Sequence, residues 1–60
     1  MSALTANVRA FADACINTNT VQELEFALTR VPDTTDMREW GLSEDEWKAA
    51  IETALEEMQE

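Results

Sequence analysis

Apolar residues recur along this chain in three stretches, each at the three- and four-residue spacing that lines one face of a helix. The last stretch is the clearest. Trp47, Ala50, Ile51, Ala54, Leu55 and Met58 fall on one face of a helix of about four turns. Ser43 and Glu46 stand before it as a capping box, the serine oxygen accepting from the third helical N–H and the glutamate accepting from the cap N–H. Leu42 and Trp47 are spaced as the hydrophobic staple that closes over such a cap. In the first stretch Leu4, Val8, Phe11 and Cys15 share a face that Ala12 and Ile16 widen, with Ser2 or Thr5 placed to cap it. Asn17, Thr18 and Asn19 are turn formers, so this helix is expected to stop between Cys15 and Asn17. In the second stretch Thr20 and Glu23 form another capping box, and Val21, Leu24, Leu28 and Val31 share a face up to Pro32, which ends the helix.

Between Pro32 and Leu42, Asp33 or Thr35 is suited to start a short helical turn carrying Met37 and Trp40, and Gly41 to close it in a left-handed conformation. The predicted fold is therefore all-α: a small bundle of three main helices with a short extra helical turn before the last helix. Residues 1–60 form one acidic helical domain. Two aromatic placements stay open. Phe26 lies about 160° from Leu24 and Leu28 on the helical wheel, so it either packs against a neighbouring segment or is exposed for a partner. Packing is the expected outcome, because an exposed aromatic is a liability without a use. Trp40 and Trp47 are expected to plug one end of the core with their indole N–H groups reaching outward, or else to flank a recognition surface.

Composition then removes whole classes of function. Sixty residues leave no room for a deep substrate cavity, and the chain has no histidine and no tyrosine. No enzyme, cofactor or metal site is expected. Asp33 and Glu44 have the spacing of the outer ligands of an EF-hand loop, but Thr35 and Met37 occupy ligand positions and Arg38 stands where the turn needs glycine. The single cysteine cannot form an internal disulfide, and on the apolar stripe it reads as a buried, inert thiol. No signal segment or membrane-length apolar run is seen, so a soluble protein of the cytoplasm is expected.

Charge changes the picture most. The net charge is −9, and it is unevenly placed. Residues 1–32 hold Asp13, Glu23 and Glu25 against Arg9 and Arg30. Residues 33–60 hold Asp33, Asp36, Glu39, Glu44, Asp45, Glu46, Glu52, Glu56, Glu57 and Glu60 against only Arg38 and Lys48. Direct contact with nucleic acid or an anionic membrane would be repulsive, and a basic partner is the complement. Acidity for solubility or high salt would be spread over the whole chain, and here one half is nearly neutral. At the end of the last helix Glu56, Glu57 and Glu60 crowd the negative end of the macrodipole, which stability alone does not explain.

In size, acidity and lack of catalytic groups the whole chain resembles phage-encoded DNA-mimic inhibitors, including small anti-CRISPR proteins. That resemblance implies a target in the bacterial host cytoplasm: a basic nucleic-acid-binding protein or complex such as a CRISPR effector, whose phosphate sites the carboxylates would occupy. The expected contact surface is Asp33, Asp36, Glu39, Asp45, Glu52, Glu56 and Glu57 acting collectively, with spacings of roughly 6–10 Å along the helices. The alternative is a structural or adaptor module docking through an apolar patch around Phe26 and Trp40, with a monomer favoured in either case.

Overall fold

The computed structural model describes residues 5–30 and 32–59, and among these every regular element is an α-helix. The four are α1 (Ala6–Thr18), α2 (Val21–Leu28), α3 (Thr34–Trp40) and α4 (Glu44–Met58). The all-α fold is as expected, with one correction: the extra turn is a helix of seven residues. Asp33 explains its stability, since one carboxylate oxygen accepts from the amides of both Thr35 and Asp36. Gly41 ends it at φ 67° and ψ 40°, and the amides of Gly41 and Leu42 both reach the Met37 carbonyl. This is a Schellman-type close, and it delivers Leu42 into the core one residue before the next cap.

Thr5 caps α1 by accepting from the Val8 amide at 3.1 Å. The expected alternative cap Ser2, and Leu4 on the stripe, lie outside the described residues. α1 runs on to Thr18, past the expected stop, because the Thr18 hydroxyl donates back to the Ala14 carbonyl at 2.7 Å and keeps the last turn closed. Both capping boxes form in full, Thr20 with Glu23 and Ser43 with Glu46. α2 is shorter than expected. Its chain tightens after Leu28 into i,i+3 bonds, Thr29 to Phe26 and Arg30 to Ala27, so it closes before Pro32. Val31 lies outside the described residues, as does Glu60.

α1 and α4 pack most extensively, and they run antiparallel, since Arg9 near the start of α1 meets Glu57 near the end of α4. Ala12, Ala50 and Ala54 are wholly buried between them, which lets the two backbones approach closely. Val8, Phe11, Cys15, Leu24, Leu42, Trp47 and Ile51 complete the core, with Leu55 and Met58 half-buried at its edge. Trp40 lies over Phe11 with ring centroids 5.5 Å apart. α2 contributes only Leu24 to the buried set, and α3 contributes nothing.

Candidate partner-binding surface

The side of α4 away from the core carries Asp45, Glu52 and Glu56. All three are exposed and, among the described residues, none has an ion-pair partner. Helix periodicity places them on one line, with a rise of about 10 Å and then about 6 Å. Lys48 is drawn toward Glu44 at 3.8 Å, which leaves the line unneutralised.

Glu57 belongs elsewhere. Arg9 of α1 takes both of its carboxylate oxygens, Nη1 to Oε2 at 2.6 Å and Nη2 to Oε1 at 3.0 Å, and also holds Asp13. The Arg9 hydrogen bonds hold the Glu57 carboxyl below the usual range and push the guanidinium further up. Part of the acid at the end of α4 is therefore compensated across the helix pair, contrary to the expectation that nothing balances it. The Arg9/Asp13 spacing of four was a legible sign of a fixed guanidinium. Its reach to Glu57 needed the antiparallel packing.

The acids of α3 form a second group. Asp33 is engaged as the helix cap, Glu39 is exposed and Asp36 is half-buried. Burial first, then the charges of Asp33 and Glu39, push the Asp36 carboxyl above its usual range. The Trp47 indole works the other way and favours the Asp36 anion. Even so, Trp47 Nε1 is buried, and its approach to the Asp36 carboxylate falls short of a well-formed hydrogen bond. The expectation that this N–H reaches solvent is corrected: Trp47 is buried within the core cluster, at 4% exposure.

Phe26 also departs from expectation. It is 60% exposed instead of packed, standing on the side of α2 away from Leu24, the buried residue of that helix. The Arg30 guanidinium lies 5.2 Å from its ring centroid. Phe26, Ala27, Arg30, Asp33, Asp36 and Trp47 together line an open cleft of about 360 Å³. Cys15 is buried, beside a neighbouring hollow that Asp36 and Trp47 also line, and desolvation and then the charge of Asp36 push its thiol up, in keeping with an inert side chain.

Among the described residues no group of histidine, cysteine or acidic side chains is arranged to hold a metal ion, and no helix is long and apolar enough to cross a membrane. No family model matches this chain, and neither a curated protein nor a solved structure matches it.

Proposed function

We propose that this protein is an acidic inhibitor that binds a basic nucleic-acid-binding protein by presenting carboxylates in place of phosphates. The observation that carries the reading is the line of Asp45, Glu52 and Glu56 on α4, exposed and without ion-pair partners among the described residues. Fixed charges on a rigid helix compete for lysine and arginine sites with little ordering cost, and release of the partner's counterions assists them. Glu39 extends the charged surface, with Asp33 and Asp36 beside it, whereas Glu57 supports the fold and is withdrawn from the contact set. The resemblance to phage DNA-mimic inhibitors makes a CRISPR effector complex the first target to try.

The test is capture from a bacterial lysate at low and high salt, with duplex DNA as competitor. The expected catch is a basic protein that DNA displaces and salt releases. A folded Asp45→Lys, Glu52→Lys, Glu56→Lys protein that still captures the same target would overturn the assignment. The exposure of Phe26 favours a second reading, an adaptor that docks through an apolar patch; its binding would resist salt and ignore DNA.

A further inference from the structure

α3 is the helix least tied to the rest of the fold. None of its seven residues is buried; Asp36, Met37 and Trp40 are half-buried and the others stand in solvent. Among the described residues no ion pair and no side-chain hydrogen bond joins it to α1, α2 or α4. Its own bonds run within the helix, to its cap Asp33, or to Gly41 and Leu42 at its end. What seats it is Trp40 over the Phe11 ring, with centroids 5.5 Å apart, and Met37 against the edge of the core. That seat adjoins empty space: Asp36 and Trp40 share the wall of an open hollow of about 350 Å³ with Phe11, Cys15, Leu24 and Trp47. Both ends of α3 are suited to movement. Pro32 before it has no amide to bind it in place, and Gly41 after it already stands at φ 67°. The main packing of the fold, α4 on α1 and on α2, does not pass through α3.

We propose that α3 is a lid: it lifts off Phe11 and unwinds while α1, α2 and α4 stay packed, and so uncovers Cys15 and Trp47. Lifting and unwinding are one event, because a helix of seven residues does not persist once detached. Charge biases the lid. Burial first, then Asp33 and Glu39, disfavour the Asp36 anion in its seat, and only the Trp47 indole favours it. The charged and titratable groups that line the hollow or the adjoining cleft with it are Cys15 of α1, Glu23 of α2 and Arg30 beyond α2. None of them forms an ion pair with it. The anion is better solvated with the lid open, so opening increases as pH rises toward the closed-state value, and acid shuts the lid.

The test uses the full chain at pH 7 in a series of urea concentrations below the unfolding transition, following Cys15 alkylation by iodoacetamide and amide exchange by NMR. The Met37 amide, bonded to the Asp33 carbonyl, and the Cys15 thiol should report one opening with a shallow urea slope. The Ile51 amide of α4 should follow the steep slope of global unfolding, which exposes more surface. Leu55→Ala should speed Ile51 exchange and leave Cys15 alkylation unchanged, since Leu55 stays packed when the lid is open. Trp40→Ala should speed alkylation about tenfold by removing the ring that seats α3. Asp36→Asn should slow it severalfold, and its effect on Met37 exchange should vanish on acidification. Alkylation that follows the Ile51 slope, or that Leu55→Ala speeds as much as Ile51 exchange, would show that only global unfolding uncovers the thiol and would overturn the lid. Alkylation as fast as in the urea-unfolded chain would overturn it too, because the thiol would then be reached with α3 seated. An Asp36→Asn protein alkylated as fast as the parent would overturn the control by charge.

Discussion

The two flanks of α4 are built differently. Toward α1, its main packing partner, it buries Ala50 and Ala54 as α1 buries Ala12, and the seam ends in an arginine that holds two carboxylates. Toward α2 and α3 the same helix leaves an indole N–H without a well-formed hydrogen bond and faces a half-buried carboxyl whose charge is disfavoured. Beside them stands an aromatic ring in solvent. The lesson is that one flank supplies the stability and the other departs from local rules without visible return, which is where function is sought in a folded protein.

The largest expected effect tests that division. Ile51→Ala should cost about 3 kcal/mol, from lost burial and the cavity left behind. A domain of this size has only a few kcal/mol to lose, so the variant should be largely unfolded by circular dichroism at 25 °C. Phe26→Ala, which removes a bigger side chain from the other flank, should change stability by less than about 0.5 kcal/mol. Comparable urea midpoints for the two variants would erase the distinction between the flanks.

Next comes the joint the two flanks share. Gly41→Ala places a Cβ in a left-handed residue at φ 67° and 3.2 Å from the Asn7 amide nitrogen. The loss should be about 1–2 kcal/mol, read as a lower thermal midpoint. Capping follows at about 1 kcal/mol each for Thr20→Ala and Ser43→Ala, because each leaves a helical amide without its side-chain acceptor. Ser43→Ala should loosen both flanks together, whereas Thr20→Ala should raise amide exchange chiefly in α2, where only Leu24 holds the helix down.

Much of this was legible in the sequence where the signal is local. Both capping boxes, the left-handed glycine and the stripe from Trp47 to Ala54 are read from residues a turn apart, and the structure keeps them all. The misses are of the other kind. α2 stops early through closing bonds that Thr29 and Arg30 make, which no proline rule anticipates. Phe26 is exposed because, among the described residues, the core forms on the Leu24 side of α2 and leaves the opposite side uncovered, a fact of assembly, not of pattern. Among the seven acids singled out, charge counting could not separate Glu57, clamped by Arg9, from its neighbour Glu56, which stands free of ion pairs among the described residues. Only the pairing of α1 with α4 distinguishes them.

The smallest effects are those of pH, and their opposite signs sharpen the comparison most. The Glu57 carboxyl sits below its ordinary range because Arg9 holds its charged form, so its contribution is fully present above the unfolded value and is lost as pH falls through the folded one. The Asp36 carboxyl sits above its ordinary range through burial and the charges of Asp33 and Glu39, against the pull of the Trp47 indole. Its ionisation therefore penalises the fold, a cost absent below the unfolded value and complete once pH has risen past the folded one. Urea midpoints measured from pH 3 to pH 7 should show Glu57→Gln less stable than the parent at pH 7, the gap closing as the solution is acidified. Asp36→Asn should be more stable than the parent at pH 7, its gap also closing on acidification but from the other side. Added salt should shrink the Glu57 gap, since that pair is solvent-exposed, and affect the Asp36 gap less, because desolvation is its leading cause. Two gaps of the same sign would mean that the α2–α3 flank, like the α1 flank, is arranged to stabilise its charges.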